Sequence, residues 1–294
     1  MELTEKITVV VASDNFYAIL ATALIKSIEL NHKTKELIDF IIIDDGISKT
    51  NKEKIINSVN PEMTTISWVK IKDIVPPGVT IPLEVSHYPI TAYLRLFAPA
   101  AAGVECKKLI YLDVDMILYD DISLLYHTNI GDNIVGAVQD YQMIVSSPTA
   151  IRNYKELGLP ANMKYFNSGL LLMNTEKWIQ EDIANKVIQC LYDNKKYILY
   201  PDQYGLNVVL RNDWYEIGRI WNHSDLFEYP DDVKLVHFID IKPIFKSCFS
   251  KEQHKREFYR ILSYTAYKDF KPIPEYRRLF NKGFSKIKNK ITKA

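Results

Sequence analysis

The stretch Ile7-Thr8-Val9-Val10-Val11-Ala12-Ser13-Asp14-Asn15 decides the fold. Residues 7–12 are β-branched or small and apolar, which suits a fully buried strand, and the polar Ser13-Asp14-Asn15 ends the run. Beyond it, Ile19, Leu20, Ala23, Leu24 and Ile28 recur at the spacing of a helix with one apolar face. The pattern then repeats. Residues 38–43 form a second buried run, Asp44-Asp45-Gly46 a turn, and Ser48 caps a predicted helix to about Val59. Residues 65–70 read as a third strand. Such alternation predicts an α/β architecture, a Rossmann-like mixed and mostly parallel sheet flanked by helices, whose ligands bind beyond the carboxyl ends of the strands.

Residues 73–90 carry Pro76, Pro77, Pro82 and Pro89 with Gly78, too many breakers for regular structure, and predict a surface loop leading into a helix at 91–97. Further strands are predicted at 108–112, 134–138, 166–174 and 234–238, with one long helix over 175–194. After about Phe245 the pattern changes to helix and basic tail. The expected division is a main α/β unit over 1–245 and a small helical, basic C-terminal region over 246–294.

Of 294 residues, 47% are hydrophobic and 25% charged, enough to bury a stable core without disulfides. A net charge of +1 argues against a general nucleic-acid binder. Cys106, Cys190 and Cys248 show no C-x-x-C pairing and read as reduced thiols. The first residues lack the pattern of a secretory signal, and no apolar run approaches the roughly 18–20 residues that span a bilayer, so a cytoplasmic protein is expected. Neither G-x-G-x-x-G nor a P-loop occurs. Any phosphate this sheet binds is therefore expected to be held through a metal ion.

The chemistry centres on Asp113-Val114-Asp115, directly after the apolar Leu109-Ile110-Tyr111-Leu112. Strand alternation sends the two carboxylates one way and the valine the other. Side-by-side carboxylates suit Mg²⁺ or Mn²⁺, which can bridge to a diphosphate; a solvated strand end with turn-forming aspartates is the other reading. Among six histidines, only His237 ends a predicted strand and precedes a lysine, Lys242, able to hold phosphate.

In order, Ala12-Ser13-Asp14, Ile90-Thr91-Ala92-Tyr93-Leu94-Arg95, Asp113-Val114-Asp115, the run Tyr165-Phe166-Asn167-Ser168-Gly169 through Asn174, Pro201-Asp202-Gln203, and Val236-His237-Phe238 with Lys242-Pro243 resemble glycosyltransferase family 8 over residues 7–245. That family includes bacterial lipopolysaccharide galactosyl- and glucosyltransferases and glycogenin. The resemblance implies a GT-A fold, a divalent metal (Mn²⁺ or Mg²⁺), a UDP-sugar donor, a glycan or glycolipid acceptor and retention of anomeric configuration. It implies Asp113, Asp115 and His237 as metal ligands. Asp14 would hydrogen-bond the uracil and Tyr17 stack on it, with Ala12 and Val114 also against the donor. Arg95, Asn167 and Lys242 would hold its sugar or diphosphate, and Asp202 and Gln203 would serve the reacting centre.

The chain departs from the family where Asp240 replaces a glycine, the spacing from His237 to Lys242 is one residue short, and Ile244 replaces a tryptophan. Two other readings remain: a haloacid-dehalogenase-type phosphatase, against which two strand–helix units precede the aspartates, and a non-catalytic carbohydrate-binding or scaffold protein. In the tail, Phe280, Phe284, Ile287 and Ile291 recur at helical spacing among lysines, a basic amphipathic helix suited to the anionic inner face of a membrane.

Overall fold

A computed structural model describes residues 6–211, 213–227 and 232–277, so the amphipathic tail lies outside the described residues. The strands are β1 (Lys6–Asp14), β2 (Leu37–Asp45), β3 (Thr64–Lys70), β4 (Lys108–Leu112), β5 (Met116–Leu118), β6 (Val135–Ile144), β7 (Lys164–Asn174), β8 (Trp214–Ile217), β9 (His223–Ser224) and β10 (Leu235–His237). Seven form one sheet in the order β3-β2-β1-β4-β7-β6-β8, and β5-β10-β9 form a second. In the large sheet only β7 runs against its neighbours β4 and β6. The expected mixed, mostly parallel sheet is present.

Alternation along β1 explains why both faces are covered. Val9 and Val11 enter one apolar cluster with Phe40, Ile42 and the helix Ala18–Asn31, while Val10 and Ala12 enter another with Ile41, Ile43 and Tyr111. Strands buried on two sides read as continuous apolar runs. Between β1 and β4 the connections leave in opposite directions, which opens a crevice at the carboxyl ends of the strands. The third cluster joins Ile19, Leu20 and Ala23 of the first helix to Phe258, Ile261 and Leu262 of the helix Glu252–Leu262.

Two predicted helices differ. Instead of one helix at 91–97, 3₁₀ turns Ile90–Ala92 and Leu94–Phe97 precede a short helix, Ala98–Ala102. Pro99 has no N–H for the Arg95 carbonyl, so an α-helical ladder cannot run unbroken into Ala98–Ala102, and Arg95 O accepts from Ala98 N instead. The long helix at 175–194 is two, Thr175–Gln180 and Ile183–Asp193, separated by Asp182 at φ 51°. Trp178 and Ile183 would lie roughly 140° apart around one continuous helix. The break lets both reach the same core.

Candidate functional site

β4 stops at Leu112, and Asp113-Val114-Asp115 is a turn rather than the strand continuation expected from alternation. The chain is leaving the large sheet for the small one, to which β5 belongs. Both ends of the turn stay pinned: Asp113 donates its N–H to Gly169 O at 2.8 Å, and Asp115 O accepts from Phe238 N at 2.9 Å. β10 pairs antiparallel with β5, setting His237 opposite Met116. The ligand atoms of Asp113, Asp115 and His237 consequently all lie within 4.8 Å of one another.

The hydrogen bonds around His237 fix its tautomer from a backbone group outward. Gly169 donates its N–H to Asn167 Oδ1 at 2.9 Å, so that end of the Asn167 amide is oxygen. The same oxygen accepts from Asn222 Nδ2 at 2.9 Å, which turns Asn222 Oδ1 toward His237 Nδ1, 3.1 Å away. In a neutral imidazole Nδ1 then carries the hydrogen, and Nε2 presents its lone pair to Asp115 Oδ1 at 3.2 Å. That oxygen is buried and has no hydrogen-bond partner among the described residues. Two acceptors facing each other are resolved by a cation, and two carboxylates with an imidazole suit Mn²⁺ or Mg²⁺. The residues fit a divalent metal ion.

Gly169 is required by close approach. A Cβ there would stand 2.8 Å from Asp113 Oδ2 and from His237 Cε1.

Arg95 ties the metal carboxylate to the rest of the crevice. Its Nη2 lies 2.9 Å from Asp113 Oδ1 and its Nε 3.0 Å from Asp202 Oδ2, while Nε also donates to Ala92 O and Nη1 to Ser168 O. Tyr111 donates its hydroxyl to Asp113 Oδ1 at 3.2 Å, and Ser168 donates to Asp202 Oδ2 at 2.6 Å. Gln203 is held as firmly: its Oε1 accepts from Ser168 N and Asn167 Nδ2, and its Nε2 donates to Asp140 Oδ2. On the other side, Lys242 Nζ lies 2.6 Å from Asp115 Oδ2.

The two aspartates feel opposite fields. Burial pushes the Asp113 carboxyl above its ordinary range, with Arg95 opposing. Burial acts on Asp115 in the same sense, but the adjoining Lys242 ammonium outweighs it and holds that carboxyl far below the usual range.

A cleft of about 300 Å³ brings together Arg95, Asp113, Asp115, Asn167, Asp202, Gln203, His237 and Lys242. Ala12, Asp14, Tyr17 and Val114 do not line it. Ala12 is buried on β1. Asp14 ends β1 and accepts from Tyr17 N at 2.8 Å, closing the turn that precedes the first helix, whose N-cap is Tyr17 with no side-chain cap. Burial raises its pKa against the Tyr17 and Phe16 N–H groups. Tyr17 and Val114 pack on the cluster formed by the first and last helices.

Sequence reasoning missed Asp140 and Asn222. Asp140 follows the apolar 134–138 run, so the strand-end argument applied to Asp113 would have flagged it. Asn222 acts through His237 from a segment with no motif, and nothing in its neighbourhood signals it.

Comparison with known proteins bears on the family and the fold. The profile of glycosyl transferase family 8 matches residues 8–244. General stress protein A of Bacillus subtilis (strain 168) is 25% identical over 290 residues, covering 91% of this chain and 96% of its own. Lipopolysaccharide 1,2-glucosyltransferase of Escherichia coli (strain K12) is 30% identical over 131 residues, 44% of this chain and 37% of that protein. Among solved structures, galactosyltransferase LgtC, in complex with donor and acceptor sugar analogs, matches with a TM-score of 0.74 at 24% identity over 92% of this chain and 99% of its own. At that identity the likeness shows the fold, the GT-A arrangement expected from the sequence.

Proposed function

The chain belongs to glycosyltransferase family 8, and on that premise we propose that it is a retaining hexosyltransferase moving galactose or glucose from a UDP-sugar to a glycan or glycolipid acceptor, as lipopolysaccharide or capsule biosynthesis requires. The observation that carries this reading is the meeting of Asp113, Asp115 and His237 beside the bonded Asp202 and Gln203. Asp113, Asp115 and His237 would hold Mn²⁺ or Mg²⁺, which supplies Lewis-acid stabilisation of the departing diphosphate. Asp14 and Tyr17 would hold the uracil, with Ala12 and Val114 against the nucleotide. Lys242 would take the diphosphate. Asn167 and Asp202 would orient the sugar through its hydroxyls, and Arg95 would reach the donor while fixing Asp113 and Asp202.

Gln203 decides the stereochemical argument. An inverting enzyme needs a carboxylate base for the acceptor hydroxyl. A double displacement needs a nucleophile, and the Gln203 amide oxygen already accepts two hydrogen bonds. The acceptor oxygen therefore attacks from the face that UDP leaves: its bond to the anomeric carbon forms as the bond to the phosphate oxygen breaks, and that phosphate oxygen takes the hydroxyl proton. Gln203 stabilises the oxocarbenium-like state. An α-linked product from an α-UDP-sugar is expected, and NMR of the anomeric proton after a UDP-glucose and UDP-galactose panel with Mn²⁺ tests it. A β-linkage would show that another carboxylate acts as base.

Residues 1–245 would form the catalytic unit and 246–294 an extension. The basic tail would rest on an anionic membrane from the cytoplasmic side. Among the described residues no helix is long and apolar enough to cross one.

A further inference from the structure

The two cations that face the metal ligands are held in different ways. Arg95 is locked by the Ala92 and Ser168 carbonyls and by two carboxylates. Lys242 comes from the loop after β10, and its ammonium meets Asp115 Oδ2 at 2.6 Å and the Phe238 carbonyl. Its ammonium is a point charge on a flexible stem, free of the fixed geometry that a guanidinium fork demands. Ile239 and Asp240 of that loop are exposed, whereas Phe238, Ile241 and Ile244 on either side pack on the third cluster.

A divalent ion on Asp115 and the ammonium on the same carboxylate repel each other at short range, and because both side chains are largely buried the repulsion is weakly screened. One of them has to leave, or a new anion has to join them. The nucleotide diphosphate is such an anion.

We propose that Lys242 is an internal counter-ion of Asp115 that keeps the site from taking up a metal ion alone and releases the carboxylate when a diphosphate accepts its ammonium. The proposal rests on the metal and UDP-sugar reading above. It assigns the order of assembly: metal and nucleotide enter together, and each tightens the other by the same factor because the coupling is reciprocal. Removing the ammonium uncouples them.

The test reads metal binding without turnover, by the loss of the free Mn²⁺ electron paramagnetic resonance signal, with UDP as the nucleotide probe. Wild type is expected to bind Mn²⁺ weakly alone and about tenfold or more tighter with UDP. Lys242→Met should bind Mn²⁺ alone about tenfold tighter than wild type and gain less from UDP. Lys242→Arg keeps the charge and should resemble wild type without UDP. Lys242→Met that matches wild type in circular dichroism and binds Mn²⁺ alone no more tightly would overturn the proposal, as would equal metal-only affinity gains in both variants. Wild type that binds no Mn²⁺ even with UDP would remove the metal reading itself, and the proposal with it.

Discussion

One wall of the crevice is built on the large sheet and the other on the small one, and they treat the two aspartates differently. On the large-sheet side Asp113 meets Arg95 and Tyr111, and Arg95 continues through Asp202 to Ser168. Polar groups there have partners supplied by regular structure. On the small-sheet side Asp115 has one oxygen on a loop lysine and the other against an imidazole lone pair with no hydrogen bond. A fully bonded network holds its shape, whereas a buried acceptor without a donor costs free energy until a ligand arrives. The difference teaches where binding can change the molecule: the first wall positions, and the second exchanges partners.

The largest expected effect breaks the exchanging wall. Asp115→Asn keeps the side-chain volume and removes a charged ligand, so several kcal/mol of leaving-group stabilisation disappear and turnover should fall roughly 10³-fold. Circular dichroism should be unchanged. Full activity in this variant, measured as UDP-sugar hydrolysis with Mn²⁺, would mean that the metal does not sit where the two walls meet.

A smaller effect is expected one step out. Asn222→Ala leaves all three ligands in place but takes away the acceptor that fixes the His237 ring hydrogen on Nδ1. Loss of such an outer partner costs about 10–100-fold in metal affinity. Mn²⁺ titration in the presence of UDP reads this directly. Unchanged affinity would show that strand pairing alone orients the imidazole, and the small-sheet wall would then be as rigid as the other.

The two walls were also unequally readable in the sequence. Long apolar runs announced β1, β2 and β4, because strands buried on both faces leave little room for other residue types, while the half-exposed edge strand β3 showed only a short β-branched stretch. The aspartates after β4 were visible for the same reason, a charge directly after an apolar run. β5 and β9, of three and two residues, are too short to show a period, and with them the small sheet that carries His237 went unseen. His237 was singled out by its place at the end of a predicted strand, but its role as a metal ligand came from the ordered motifs. Arg95 was found too, but its joining of Asp113 to Asp202 depends on tertiary approach between segments far apart in the chain. The single helix at 175–194 failed because propensity gives no account of which face the core needs. At 91–97 the apolar spacing gave no means to tell 3₁₀ turns from an α-helix, and Pro99, suited to the first turn of a helix, pointed to the one that starts at Ala98.

The smallest effect asks which wall yields when both are pushed. Gly169 lies between them, and an added methyl would stand 2.8 Å from Asp113 Oδ2, 2.8 Å from His237 Cε1 and 2.9 Å from Met116 Cε. All three contacts are closer than side chains tolerate, so something has to move. Asp113 is held by Arg95 and Tyr111, and its backbone is tied to Gly169 itself. Among the described residues the His237 ring is hydrogen-bonded through Nδ1 to Asn222, with Nε2 facing Asp115, and Met116 is a flexible thioether that can change rotamer. Gly169→Ala should therefore displace His237 and Met116 and leave the Arg95–Asp113 pair in place. Overpacking of this kind costs about 1–3 kcal/mol, and at the low end thermal unfolding should fall by about 2–4 °C. Mn²⁺ affinity with UDP should drop by less than in Asn222→Ala, because the tautomer is preserved while the ring shifts. A crystal structure of the variant with Asp113 displaced and His237 unmoved would reverse the assignment of the rigid and the yielding wall.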